Sequence, residues 1–210
     1  MHEGGVFFMY QGTNSLTFLS PLTAAYWKSA VGELKKVRML VLAAFFVALN
    51  IIVSGLYLQV GENLRVLFSF FFAALGGAIY GPVLALIGGF CSDILGYMLH
   101  PSGPFFLGYT LSTMLGALVY ALLLYRARIS GLRLFLSKLI VNTGVNIALG
   151  SLWSAMLYGK GYYYYLAKSV VKNLLLLPVE TVLLFAFFAA LLPVTCRMGL
   201  TPQQQGVKLW

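Results

Sequence analysis

Charge is what this chain lacks most. Only 5 of its 210 residues are acidic, and charged residues together make up 9%, against roughly 25% in an ordinary soluble domain. So little charge cannot cover a folded surface in water, while hydrophobic residues reach 60% and the mean hydropathy is +0.89. The sequence is that of an integral membrane protein. Further absences narrow its chemistry. There is no GxxxxGK[ST] phosphate loop, no HExxH and no GxSxG, so the common routes to ATP, metallopeptidase and esterase chemistry are missing. The two histidines, His2 and His100, have no partners at metal or general-base spacing. The two cysteines, Cys91 and Cys196, lack ligand spacing and read as ordinary thiols. Asp93 and Glu180 are the only acids well inside apolar segments, and no paired catalytic constellation accompanies them. The expectation is a protein that is not an enzyme and carries no metal or cofactor.

What is present are long unbroken apolar runs. They lack the alternation of barrel strands, which leaves helices as the spanning element. At about 20 residues per crossing the sequence predicts six spans, at 38–58, 65–80, 82–99, 104–125, 134–157 and 169–194. The expected architecture is all-α, a six-helix membrane bundle over 37–194. A lead-in over 1–36 precedes it and a short tail over 195–210 follows. The lead-in is a poor signal peptide, having no basic segment ahead of its apolar part. From Ser20, with Pro21 at the first helical position, it reads either as a short interfacial helix or as an extended start.

Basic residues set the orientation. Lys28, Lys35, Lys36 and Arg38 precede the first span, Arg126, Arg128, Arg133 and Lys138 lie between the fourth and fifth, and Arg197 and Lys208 follow the sixth. Arg65, Lys160, Lys168 and Lys172 remain for the other side. Both termini are therefore expected in the cytoplasm. The net charge of +9 is accounted for by topology, without nucleic acid.

Polar groups inside a bilayer cost enough to mark either function or helix packing. Asn142, Asn146, Gly150 and Trp153 follow one face of the fifth span at helical spacing. On the sixth, Lys168 and Lys172 share a face near the outer end, Asn173 and Glu180 share another, and Pro178 frees the carbonyl of Leu174. Arg65 and Lys160 join them at the outer mouth, with the run Tyr162 to Tyr165. Cations, aromatics and asparagines at one mouth suit a ligand with a flat aromatic part and negative charge; an interfacial belt and helix packing are the plainer readings. Ala44-x-x-x-Ala48, Gly77 with Gly81, and Gly88, Ser92 and Gly96 form small-residue stripes that let helices approach closely.

Four stretches taken together carry a family resemblance: "VRMLVLAAFFVALNIIVS", "LRVLFSFFFAALGGAIYGPVLALIGGFCSDILGYML", "GPFFLGYTLSTMLGALVYALLLY" and "VNIALGSLWSAMLYGKGYYYYLAKSVVKNLLLLPVE". Over about residues 37–194 the chain resembles the substrate-binding S components of energy-coupling factor (ECF) transporters, and among them the folate-specific kind. Leu107, Tyr109, Gly150-Ser151 and Ser169 depart from that pattern, where proline, phenylalanine, Asn-Thr and arginine are usual. The resemblance implies a six-helix subunit in a bacterial plasma membrane that captures a vitamin outside. It would deliver it inward on a transmembrane coupling subunit with two cytoplasmic ATPases. The alanine motif, Ala44 and Ala48 here, would meet the coupling subunit. For folate, the resemblance implies a site in which Asn146, with Asn142, meets the pterin, and Trp153, Phe106 and Tyr109 wall the rings. Arg65, Lys160 and Lys172 would meet the carboxylates, with Asn173 orienting ligand or loop. Asp93 and Glu180 are assigned to structure. The alternatives are an S component for another vitamin and a non-catalytic membrane scaffold.

Overall fold

The computed structural model describes residues 18–55, 57–61, 64–101, 104–159 and 161–209, and the side chains of 57–61 and 64–67 lie outside that description. Helix α1 spans Ala24–Glu33 and α2 Val37–Ser54. Strands β1 (Tyr57–Gly61) and β2 (Leu64–Leu67) follow, then helices α3 (Ser69–Leu99) and α4 (Leu107–Leu124). Helix α5 (Gly131–Ile140) passes into a π-helical segment, Val141–Leu149, and then into α6 (Gly150–Tyr158). Helix α7, Tyr162–Arg197, completes the bundle.

Five of these helical stretches are long and apolar enough to cross a membrane, taking Gly131–Tyr158 as one. The second and third predicted spans, 65–80 and 82–99, share α3. Gly81 has φ 80° and ψ −176° in the middle of that helix, followed by Pro82. Its neighbours show what the break does. Before it, Gly77 lies against Ala121 and Gly81 against Tyr125, so this arm descends parallel to α4. Beyond it, Gly89 lies against Met114, and Asp93 accepts from Thr110 and Thr113, so the second arm climbs antiparallel to α4. The register reverses at Gly81, and α3 is two arms folded at one residue. Only glycine takes this backbone conformation without strain, and proline fits the first turn of the arm that follows.

Other boundaries move for local reasons. Helix α1 starts at Ala24 rather than Ser20, because Ser20–Thr23 form a turn in which Thr23 Oγ1 donates to Ser20 O at 2.7 Å. The extended first span ends at Ser54, and the residues after it pair as an antiparallel hairpin, Tyr57 opposite Leu67 and Gln59 opposite Arg65. A purely helical reading missed this hairpin, although "YLQV" and "LRVL" flank a Gly-Glu-Asn punctuation of the kind that marks one. Helix α5 begins three residues early because the Ser130 Oγ caps it, accepting from Arg133 N. Helix α7 begins seven residues early, so Tyr162 to Lys168 are helical rather than loop.

Two cations expected on the inner loop are instead buried. Arg126, the non-glycine residue with positive φ (54°) among those described, turns its guanidinium onto Glu33 at 3.2 Å. This pair, with Tyr125 OH to Glu33 at 3.3 Å and Tyr26 OH donating to Ala121 O at 3.0 Å, docks α1 against the end of α4. Burial, with Tyr125 beside it, pushes the Tyr26 phenol above its ordinary value, so it donates as a neutral group. Lys138 is the second correction, and it belongs to the site described below.

The core runs along α3, α4 and α7, through Ala74, Ala78, Tyr120, Ala121, Leu184, Phe188 and Leu192. Apolar burial against lipid gains little, so close packing holds this bundle together. A Cβ on Gly77 would come within 2.9 Å of the Ala121 backbone nitrogen, which is how near α3 and α4 approach. The tail is held too: Gln204 bridges Ile129 N and O, and Gly131 N donates to Lys208 O at 2.7 Å.

Candidate functional site

Helices α4, α6 with the π segment, and α7 come together, and they bring most of the predicted residues into two groups. The first is aromatic. Phe106 sits just ahead of α4, with its ring centroid 5.7 Å from Trp153 and 6.0 Å from Tyr109, edge-on to the latter. Trp153 Nε1 donates to Ser112 Oγ at 2.9 Å. Ser154 donates to Gly150 O at 2.8 Å, so in its 3.3 Å contact with Tyr109 the phenol is the donor. Trp153 and Tyr109 are thus held by two serine hydroxyls, and Phe106 packs against both rings. Gly108 lies beneath them; a Cβ there would meet Phe106 and Trp153. All three ring residues are half-buried.

The second group is a polar chain lower on the same span. Lys138 Nζ lies 3.1 Å from Glu180 Oε2 and 3.8 Å from the centroid of Phe70. Asn142 Nδ2 donates to Glu180 Oε2 at 3.2 Å and to Asn173 O at 3.4 Å. Asn146 Nδ2 donates in turn to Asn142 Oδ1 at 3.1 Å. Lys138, Asn142 and Glu180 are 3%, 2% and 8% exposed, whereas Asn146 is exposed. Lys138 is therefore no loop cation: α5 carries it inside, where an unpaired charge would be costly, and Glu180 is its partner. The assignment of Glu180 to structure agrees with this geometry. Asp93 is also satisfied internally, by Thr110 at 2.7 Å and Thr113 at 3.1 Å.

The π segment itself had no signal in a reading that assumed 3.6 residues per turn. Such segments occur mostly as single-turn bulges within α-helices and frequently at functional sites, and this one contains both asparagines. On α7, Asn173 donates to Ser169 O at 2.9 Å, Lys172 is half-buried and Lys168 is exposed. Lys160 and the Arg65 side chain lie outside the described residues. Ala44 and Ala48 are elsewhere, exposed on α2.

A separate cleft, with about 330 Å³ of empty space, lies between α2, α3 and α4. Among the described residues, none of the predicted ligand residues lines it. Its walls are mostly apolar, and three of its polar side chains are bonded within the protein: Asn50 to Ser69 O, Ser92 to Gly89 O, Thr113 to Asp93.

Known proteins resemble this one along the same region. The family described as "ECF transporter, substrate-specific component" matches residues 38–196. A folate transporter FolT of Clostridium novyi is 31% identical over 152 residues, covering 72% of this chain and 88% of that protein. A folate transporter FolT of Leuconostoc mesenteroides is 31% identical over 150 residues, covering 68% and 80%. A solved structure of FolT bound with folic acid superposes with a TM-score of 0.62 at 26% identity, over 70% of this chain and 88% of that one.

Proposed function

The chain belongs to the family of ECF-transporter substrate-specific components, and from that premise we propose that its ligand is folate. The family is one of multi-pass membrane transport subunits and not of enzymes. In this reading the protein captures folate or a reduced folate from outside a bacterial plasma membrane. It passes the vitamin inward on a module of one transmembrane coupling subunit and two cytoplasmic ATPases, whose chains supply the phosphate-loop chemistry that this one lacks.

The observation that carries the proposal is that one span, Gly131–Tyr158, carries both Trp153 of the ring group and the asparagine chain. Phe106, Tyr109 and Trp153 offer faces and edges to a heteroaromatic ring. The exposed amide of Asn146, on the same span, has both donor and acceptor for a pterin edge. Lys172 supplies a cation for the glutamate tail, with Arg65 and Lys160 as further candidates. Asn142 and Asn173 hold the walls.

Equilibrium binding in detergent by tryptophan quenching tests this, with thiamine and riboflavin as controls. Tight, stoichiometric folate quenching that weakens tenfold or more in Lys172→Ala or Trp153→Leu is the expected result. A response to another vitamin, or to none with the fold intact, overturns the assignment.

A further inference from the structure

Asn142 has little choice of direction. Its Nδ2 faces the Glu180 carboxylate and the Asn173 carbonyl, at 3.2 and 3.4 Å. The Asn173 carbonyl can only accept, and the Glu180 Oε2 that faces Asn142 already receives Lys138 Nζ at 3.1 Å, so it too stands as an acceptor. Exchanging the oxygen and nitrogen of Asn142 would set its oxygen against two acceptors inside the protein, with Asn142 only 2% exposed. The Asn142 carbonyl must therefore point away from Glu180, and it accepts from Asn146 Nδ2 at 3.1 Å. That bond fixes the next amide: Asn146 keeps its nitrogen toward Asn142 and turns its oxygen away. Among the described residues that oxygen accepts no hydrogen bond, and Asn146 is exposed. A free amide carbonyl within a membrane span calls for water or a ligand donor.

We infer that the buried Lys138–Glu180 pair is a specificity-determining device, acting through Asn142 to fix which way Asn146 presents its amide to the ligand. The exposed edge is then a carbonyl acceptor with one N–H beside it, in a fixed order. It matches a heteroaromatic ring edge that carries a donor next to an acceptor, and it disfavours a ring in which that order is reversed or the donor is missing. Lys138 and Glu180 touch no ligand; they are positioning residues. A purely structural ion pair would influence stability without altering the choice between ligands.

The inference rests on the folate reading above, and its test separates the two. Dissociation constants are measured for folate and two analogues, one lacking the 2-amino group and one with the 4-oxo group replaced by amino, which reverses the order along that edge. The native chain is expected to reject at least one analogue tenfold or more. That ratio is expected to fall to threefold or below in Asn146→Ala, in Asn142→Leu and in the double variant Lys138→Met/Glu180→Gln. The double change removes both charges together, so no unpaired ion is left to unfold the protein, and Asn142→Leu tests the same relay with the ion pair intact. If Asn146→Ala collapses the ratio while the other two variants keep it, the relay is wrong and the folate site stands. If folate binds but Asn146→Ala leaves the ratio at its native value, Asn146 is not at the vitamin and the inference fails alone. If the native chain binds no folate, the functional reading and the inference fall together.

Discussion

Gly108 tests the ring group most directly. A Cβ on this residue would come within 3 Å of both Phe106 and Trp153, closer than carbon atoms pack, so the two rings cannot both stay where they are. Gly108→Ala is expected to weaken folate binding about tenfold, on the order of 1.4 kcal/mol, because Phe106 must move or Trp153 must leave the position that its bond to Ser112 holds. Unchanged affinity would remove the rings from the site. The Lys138–Glu180 pair makes the opposite kind of prediction, on stability. Lys138→Met leaves a carboxylate that is 8% exposed without its cation, a change that costs about 3–5 kcal/mol when a buried pair is broken from one side. Removing both charges in Lys138→Met/Glu180→Gln is expected to restore most of the lost thermal stability. A double variant no more stable than the single one would show that the pair is not coupled in the way the distance implies.

The fold at Gly81 turns one long helix into two crossings, and it is the element on which the six-arm count depends. Gly81→Ala asks a residue with a Cβ to adopt φ 80° beside the Tyr125 ring at 3.1 Å, at a cost of about 1–3 kcal/mol. The expected readout is a melting temperature lowered by several degrees, with the same secondary structure by circular dichroism. An unchanged melting temperature would mean that the reversal is not held at this residue. The sequence made the two arms legible because "GGAIYGPV" interrupts an otherwise continuous apolar run, and glycine followed by proline marks a turn wherever it falls. Spacing put Trp153 on the asparagine face of its span, while its grouping with Phe106 and Tyr109 came from the family resemblance. The sequence hid the polar chain for two reasons. Lys138 follows a run of loop arginines and reads as one of them, yet Ser130 caps α5 early enough to carry it inside. The π segment winds more residues per turn than an α-helix, so a face drawn at 3.6 residues placed Asn142 and Asn146 together without showing that one amide bonds the other. The hairpin at 57–67 was hidden by context: two short apolar strands between long apolar spans look like the ends of those spans.

Folding reduces the charge asymmetry on which orientation rests but keeps its sign. Arg126 and Lys138 are neutralised inside by Glu33 and Glu180, yet Lys28, Lys35, Lys36, Arg38, Arg128, Arg133, Arg197 and Lys208 stay exposed on the side of the termini. On the positive-inside rule we propose that both termini face the cytoplasm. Single cysteines at Lys28 and Lys168, in a Cys91→Ala/Cys196→Ala background, are expected to react with an impermeant thiol reagent from opposite faces of sealed cells and inverted vesicles. With that orientation, we propose that α2 is the surface that meets a membrane partner. Val41, Ala44, Phe45, Ala48 and Ile52 are all exposed on it, repeating at helical spacing with the two small residues between larger ones. A lipid-facing helix has no need of alanine there, whereas a helix that must receive another closely does. Ala44→Leu/Ala48→Leu fills that gap from outside the bundle and far from the rings. Folate affinity is therefore expected within about threefold of native, while co-purification with a transmembrane coupling subunit falls tenfold or more. Retained co-purification would move the contact to another face, and lost folate binding would mean that α2 supports the vitamin site rather than the partner.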